Sequence, residues 1–341
     1  IDNNKYTEDT NRFFGNIYAN YQTDFGTANH KLNAKYMVGV DAYTTHYSDS
    51  YGYGSNTGGG RGQIENYGWT NATYNSLLTI NYDWRINDDW GLNAVAGNEF
   101  IQSNRKKYYE YGSNYNFAGW NHINNATTQQ TEEERWKNRT VGFFANVSAA
   151  YRNMLYLTVT GRQDYVSNMP RDNRSFFYPS ANLSFIVTDF LRSLDKTLPS
   201  WLTFAKVRLS AAQVGKDTEP YNLYNTLSYA FANGVLNITK SDIKKNDQLK
   251  PEMSSSYEAG LDMKFFNKRL GFDFTYYNSR TKNQIMKVPA PAPWSGGKMI
   301  NSGLIVNQGF EFMLYSTPIQ TKDFTFDLNV NLSKNVSKVK E

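Results

Sequence analysis

The chain has 341 residues, with 36 Lys and Arg against 31 Asp and Glu, a formal net charge of +5 and no cysteine. The lack of cysteine excludes disulfide scaffolds and thiolate zinc sites, and the chain has no Lys/Arg-rich cluster typical of a nucleic-acid partner. No apolar run reaches the roughly 18 residues of a transmembrane helix, so a helical membrane protein is excluded as well.

A strict two-residue alternation of apolar and polar side chains recurs along the chain. Near the end, Phe324, Phe326, Leu328 and Val330 alternate with Thr, Asp and Asn. Because successive side chains of a strand point to opposite faces, this pattern predicts strands with one apolar and one polar face. In chain order, the twelve predicted strands are 12–22, 30–46, 74–86, 91–104, 136–151, 154–167, 176–188, 201–214, 255–266, 269–282, 303–316 and 323–335.

The connections between these strands alternate in length. Tight turns rich in Asn, Asp and Gly are predicted at 24–29, 87–90, 152–153, 267–268 and 318–322, and 189–200 is the longest connection on this side. Long polar loops are predicted at 47–73, 105–135, 168–175, 215–254 and 283–302. Short turns at one end and long loops at the other are typical of an outer-membrane barrel.

The expected fold class is therefore all-β, an antiparallel transmembrane β-barrel. The mean hydropathy of −0.65 is compatible with this class, because only every second residue of a spanning strand faces lipid. The opposite parity then lines the lumen. The charged candidates for that lining are Asp83, Arg85, Arg162, Arg208, Glu258 and Asp262.

Aromatic residues in or beside the long loops are candidates for substrate contact, because exposed rings stack on sugar rings or pack on peptide side chains. These residues are Tyr51, Tyr53, Trp69, Trp120 and Trp294. The alternative is that they pack the loops against one another.

Enzyme chemistry has no support in the sequence. The three histidines, His30, His46 and His122, lack partners at metal-ligand spacing, and no HExxH or GxSxG motif occurs. We expect no catalytic residue, no metal site and no cofactor.

Five strings, in order, resemble the SusC/RagA family of TonB-dependent outer-membrane transporters. They lie between residues 136 and 341, whereas the first 135 residues match the family only in the spacing of strands and loops along the chain. One departure is Pro251, which stands where the family usually has Trp. The strings are FYPSANLS at 177–184, KVRLSAAQVG at 206–215, LKPE at 249–252, GLD at 260–262 followed by RL and YY, and NSG at 301–303 followed by NQGFE.

The resemblance implies a 22-stranded barrel that encloses an N-terminal plug. It implies import of a nutrient, an oligosaccharide, glycan or peptide, with energy delivered through TonB and with a SusD-like surface lipoprotein as partner. Outer-membrane lipid would surround the barrel. The alternative function is a non-transporting outer-membrane binding or adhesin barrel, which an upstream TonB-contacting segment would exclude.

Residues 1–341 are then expected to form a segment of one barrel domain. About twelve strands would leave two unpaired sheet edges, which are unstable in lipid. The plug domain and the terminal strands are therefore expected to lie outside this chain, in a longer polypeptide.

Overall fold

The computed structural model describes residues 4–57, 59–232 and 235–340, which fold mainly as β-strands. The strands are β1 (Asn4–Thr23), β2 (His30–Tyr51), β3 (Gln63–Arg85), β4 (Trp90–Tyr115), β5 (Ala126–Tyr151), β6 (Leu155–Val166), β7 (Ser175–Ile186), β8 (Leu202–Lys216), β9 (Leu227–Ala232), β10 (Val235–Lys240), β11 (Ile243–Lys244), β12 (Glu252–Phe265), β13 (Leu270–Val288), β14 (Gly297–Gln320) and β15 (Thr325–Lys340). A short helix, α1 (Val187–Ser193), follows β7, and a single 3-10 turn (Ile123–Asn125) precedes β5.

The predicted all-β fold and its twelve strands are confirmed. They correspond to β1–β8 and β12–β15. The sheet runs in the order β1 to β8, then β12, β13 and β14, and β15 pairs with β14. The short β11 joins β14 in parallel, while β9 and β10 form a separate antiparallel ribbon within the connection between β8 and β12.

The predicted long loops at 47–73, 105–135 and 283–302 are wrong over most of their length. Strands occupy much of them, and the connections shrink to 52–62, 116–125 and 289–296. The strand extensions mix polar, aromatic and aliphatic residues without a regular two-residue alternation, although the backbone ladder continues. Trp69 consequently lies on β3 rather than in a loop.

Three of the short turns, at 24–29, 152–153 and 266–268, reverse the chain with left-handed backbone conformations. Arg152 and Asn153, between β5 and β6, have φ angles of 47° and 53°. Two consecutive positive φ values match the twist of a tight hairpin, and Asn accepts this conformation more readily than most residues do.

The described chain divides into two compact units. The first comprises 1–19, 35–78 and 99–141, and the second comprises 20–34, 79–98 and 142–341. Each unit has one small buried cluster beside the long connections. In the first unit it consists of Ile64, Tyr115 and Ala126. In the second it consists of Val166, Met169, Phe176 and Leu249. No described helix combines the length and the apolar character that a membrane span requires.

Candidate functional site

One face of the sheet in the second unit carries a continuous apolar belt. Directly paired residues form rows across the strands, and two rows are apolar over most of their length. The first row is Leu155, Phe185, Val207, Leu261, Phe274, Phe312 and Leu332. The second is Leu157, Leu183, Leu209, Ala259, Tyr276 and Phe310. Several of these side chains are more than a third exposed, so the belt offers a surface suited to lipid.

On β13, β14 and β15 the same face becomes polar at the edge of the second row, whereas on β6 to β12 the next row still holds Val159, Ala181, Ala211 and Tyr257. Lys334 pairs with Phe310, and the next row contains Asn278 and Gln308. Side chains of this kind belong to the interface rather than to the hydrocarbon core.

The opposite face of the same strands is polar. One of its rows runs through Tyr156, Ser184, Arg208, Gly260, Thr275, Glu311 and Ser333. Arg162, Arg208, Glu258 and Asp262 all lie on this face, as their parity predicts. The row and its neighbours form the candidate site in this unit.

Arg208 on β8 forms an ion pair on the polar face. Its Nη2 donates hydrogen bonds of 2.6 and 2.8 Å to the two carboxylate oxygens of Asp273 on β13. The side chain crosses the intervening strand β12 over Gly260, where a Cβ would lie 2.9 Å from the guanidinium. Glycine at 260 therefore permits this ion pair between second-neighbour strands.

Arg162 on β6 belongs to a separate ion pair. Its Nε donates to Asp164 at 2.8 Å, and its guanidinium lies 5.9 Å from the centre of the Phe144 ring. The Tyr178 hydroxyl donates to the other oxygen of Asp164. The Asp164 side chain is only 10% exposed, so its charge is balanced locally by these two donors.

Glu258 and Asp262 flank Arg208 along the strand direction. Glu258, Arg208 and Glu311 line an open hollow of about 490 Å³ on the polar face. Asp262 lies 3.5 Å from the hydroxyl of Tyr315 on β14. The hollow thus combines the guanidinium of Arg208 and the ammonium of Lys206 with two carboxylates and several hydroxyl groups.

Asp83 and Arg85 do not pair with each other. Asp83 accepts hydrogen bonds from Asn81 at 2.8 Å and Asn93 at 2.6 Å. Arg85 instead binds Asp88 at 2.8 Å in the following turn, and both side chains are well exposed. Asp83 is therefore part of a hydrogen-bond network with asparagine amides on the strands, whereas Arg85 forms an ion pair with a residue of the turn.

Two acidic residues of this face, Asp273 and Glu311, are absent from the sequence-based candidates. The alternation predicts that both lie on the polar face, because each stands between two phenylalanines of the apolar face. Their partners are set by the register between strands, which alternation alone does not give.

Four of the five aromatic candidates belong to the first unit. Tyr51 ends β2, and Tyr53 is exposed in the turn that follows. Trp69 lies on β3, with its ring 5.5 Å from the Tyr47 ring. Trp120 stacks between the rings of Phe117 and His122, at 6.0 and 4.9 Å. For Trp120, these contacts are those expected of loop packing.

Trp294 lies in the second unit, in the connection between β13 and β14. The ammonium of Lys240, at the end of β10, is 3.3 Å from the centre of its ring. This cation–π contact joins the β9–β10 ribbon to the neighbouring connection.

A half-buried carboxylate lies beside the outer end of β8. Asp217 accepts a hydrogen bond of 3.0 Å from Asn168, and burial raises the pKa of its carboxyl group above the ordinary value. In the turn at the other end of the strands, hydrogen bonding from Arg152 lowers the pKa of Asp89.

Comparison with known proteins gives the family. The family model described as "TonB dependent receptor-like, beta-barrel" matches residues 1–339. TonB-dependent receptor SusC of Bacteroides thetaiotaomicron is 25% identical, with 97% of this chain and 33% of that protein aligned. TonB-dependent receptor P3 of Formosa agariphila is 26% identical over 82% of this chain and 28% of its own length. The chain therefore spans about a third of the curated relatives it matches.

Solved structures agree on the fold. The RagAB peptide importer in its closed-closed state superposes with a TM-score of 0.88 over 99% of this chain and 37% of that chain, at 18% identity. The open-open state of the same importer gives 0.85 over 100% of this chain and 37% of that one, at 19% identity. At these identities, the likeness concerns the fold.

The predicted outer-membrane localisation and the resemblance to SusC/RagA proteins are confirmed by these relatives. The relatives are named as receptors and importers rather than enzymes, in agreement with the absence of a predicted catalytic role. The chain crosses the outer membrane of a Gram-negative cell with its strands, and it belongs to the TonB-dependent receptor-like β-barrel family.

Proposed function

We propose that the polypeptide containing this chain imports a nutrient across the outer membrane, with energy from TonB and with a SusD-like surface lipoprotein as partner. The observation that carries the proposal is the contrast between the two faces of the sheet. The rows from β6 to β15 present an apolar belt on one side and paired charges on the other. This arrangement suits strands that face lipid outside and an aqueous path inside.

The relatives support the same proposal. SusC and P3 are named TonB-dependent receptors, and RagAB is named a peptide importer. The nutrient is accordingly an oligosaccharide, a glycan or a peptide. We also propose that residues 1–341 are a segment of one barrel domain, with the plug and the remaining strands in other parts of a longer polypeptide.

In this mechanism, substrate binds at the end of the strands that carries the long connections. It then passes along the polar face when the plug rearranges. Arg162 and Arg208 are each paired with an aspartate, so their charges are partly balanced within the wall. The hydroxyl and amide groups between these pairs can exchange hydrogen bonds with a passing polar substrate. The residues proposed to line this path are Asp83, Arg85, Arg162, Arg208, Glu258 and Asp262.

The proposal is tested first by identifying the complete polypeptide. Detergent-solubilised protein from outer membranes would be analysed by mass, together with co-purifying proteins. We expect a chain about three times as long as this one, since the chain covers 33% of SusC, and we expect a lipoprotein to travel with it. An intact chain of only 39.1 kDa would contradict the proposal that this chain is a segment of a longer transporter with a plug domain.

Uptake by intact cells provides the functional test. Cells with and without the gene would receive fluorescent oligosaccharides and short peptides, before and after a protonophore collapses the inner-membrane potential. We expect uptake of one class to require both the gene and the potential. Surface binding that persists without uptake and ignores the protonophore would instead support a non-transporting binding or adhesin barrel.

A further inference from the structure

Five side chains of the first unit form a continuous aromatic surface, which we call the aromatic wall. It consists of Tyr47, Tyr67, Trp69, Arg105 and Trp136. The rings of Tyr47 and Tyr67 stack at 4.8 Å with an interplanar angle of 10°, and Tyr47 also contacts Trp69 at 5.5 Å. The Arg105 guanidinium lies 5.7 Å from the Trp69 ring and 5.3 Å from the Trp136 ring.

The aromatic wall crosses four adjacent strands, from β2 to β5. In each strand it has the parity of polar side chains that meet across strands, such as Thr73 and Ser103, which are 3.2 Å apart. Tyr36 and Val38, both exposed, have the opposite parity on β2. The wall therefore lies on the face opposite to the one suited to lipid. Its four rings are only partly buried, so part of their surface is open to a ligand.

Hydrogen-bonding groups border the rings at the β1 side. The hydroxyl of Tyr47 donates to Glu8 at 3.1 Å, and the carboxylates of Glu8 and Asp49 both act electrostatically on Tyr6. The cation of the wall itself, Arg105, lies on the other side, between two indoles. The border is therefore acidic and rich in oxygen atoms, which disfavours an anionic ligand.

We propose that the aromatic wall binds neutral oligosaccharide, an inference that rests on the proposed import function and selects among its substrate classes. The C–H groups on the face of a pyranose ring carry partial positive charge and stack on the negative face of an aromatic ring. The sugar hydroxyls are then within reach of carboxylate and phenol oxygens such as those of Glu8 and Tyr47. Several rings in a row serve successive sugar units of one chain.

A peptide fits this surface less well. Extended peptides bind by adding a strand to a free sheet edge, and β2, β3, β4 and β5 each have a neighbour on both sides. The backbone groups there already bond within the sheet. The wall offers ring faces and side-chain oxygens instead, and these are the groups that sugars use.

The test uses the full-length polypeptide in detergent, with binding measured by calorimetry. The probes are maltohexaose, cellohexaose, mannohexaose, an acidic galacturonate oligomer and a pool of short peptides. We expect at least one neutral hexasaccharide to bind, and Trp69→Ala and Trp136→Ala each to weaken its binding by about tenfold, the loss expected for a stacked ring. Trp69→Phe, which keeps an aromatic face, is expected to retain binding within about threefold.

The matched control is Trp90→Ala, because Trp90 also contacts a neighbouring ring, that of Tyr151 at 4.7 Å, but lies outside the wall. Its affinity should equal that of the wild type. Unchanged affinity in both Trp69→Ala and Trp136→Ala would overturn the inference. If Trp69→Ala does not assemble, the inference is judged from Trp136→Ala, which should weaken binding, and from Trp69→Phe, which should retain it. Energy-dependent peptide uptake without any oligosaccharide binding would overturn the inference and leave the proposed import function intact.

Discussion

Gly142 on β5 leaves the space that the guanidinium of Arg162 occupies on β6. A Cβ at position 142 would lie 2.5 Å from Nη2 of Arg162 and 2.6 Å from Oδ1 of Asp164. The glycine is buried, and its φ is not positive, so its role is to provide space rather than backbone freedom. The ion pair on the polar face thus depends on a missing side chain in the adjacent strand.

Gly142→Ala is therefore expected to destabilise the barrel by roughly 1 to 3 kcal/mol, the usual cost of overpacking. The measurement is the urea midpoint of unfolding of the full-length protein in lipid vesicles, followed by its mobility on unheated gels. Gly91→Ala is the matched control, because no atom lies within 4 Å of a Cβ there. It should be neutral or slightly stabilising, since alanine restricts the unfolded strand. Equal midpoints for the two variants would contradict the space-filling argument.

The Arg208–Asp273 pair gives a second prediction. Asp273→Asn and Arg208→Gln should each lower stability, and the double variant should lose less than the sum of the two. The coupling free energy is expected to be about 1 kcal/mol, because both side chains are about one-third exposed and water weakens the attraction.

The same unfolding assay on the four proteins of the cycle measures this coupling. The exchanged pair, Arg208→Asp with Asp273→Arg, should recover part of the loss if the attraction is electrostatic. Additive effects of the single variants would mean that the contact contributes nothing measurable.

The sequence predicted the strands and their faces well, because both follow from local alternation. Arg208 and Glu258 lie on the polar face as their parity requires. Asp273 could have been found by the same rule, since it stands between Phe272 and Phe274. The ion pair between Asp273 and Arg208 could not have been predicted, because it depends on the register of β8, β12 and β13 and on the space above Gly260 in β12.

The strand extensions and the aromatic wall were missed for a related reason. Beyond the apolar belt, neither face of a strand contacts lipid, so the hydrophobic period disappears while the hydrogen-bonded ladder continues. The sequence shows Trp69 as an aromatic candidate but predicts a loop at its position, whereas the structure has it on β3. Its neighbours Tyr47 and Trp136 come from other strands, so their proximity required the fold.

The turn pair Asp89–Arg152 predicts a pH dependence. Arg152 donates hydrogen bonds of 2.8 and 3.0 Å to the carboxylate, and these lower the pKa of Asp89 in the folded protein. Because the folded pKa lies below the unfolded one, the contribution to stability is complete above the unfolded value of about 3.9 and is lost as pH falls through the folded value.

Asp89→Asn should therefore lower the unfolding midpoint at about pH 7, and the difference from the wild type should shrink as the pH falls below the unfolded value of about 3.9. Asp88→Asn is the matched control, because the Asp88 side chain is 98% exposed and water screens its contact with Arg85. A difference for Asp89→Asn that persists unchanged in acid would exclude the charge as its origin.

Asp217 should respond to pH in the opposite sense. Burial is the main cause that raises its pKa in the folded protein, so the folded state favours the neutral acid. Ionised Asp217 therefore reduces stability above the unfolded pKa of about 3.9, and this cost grows until pH passes the folded pKa. Asp217→Asn removes the charge and retains an oxygen that can accept the hydrogen bond from Asn168.

The variant is expected to unfold at a higher urea concentration than the wild type at about pH 7, with the gain disappearing below about pH 4. Glu219→Gln, two residues further along the chain and exposed, is the control for loss of a negative charge, and it should leave the midpoint unchanged. A lower midpoint for Asp217→Asn at neutral pH would mean that the carboxylate is stabilised in the folded state, with its charge matched by a cationic partner.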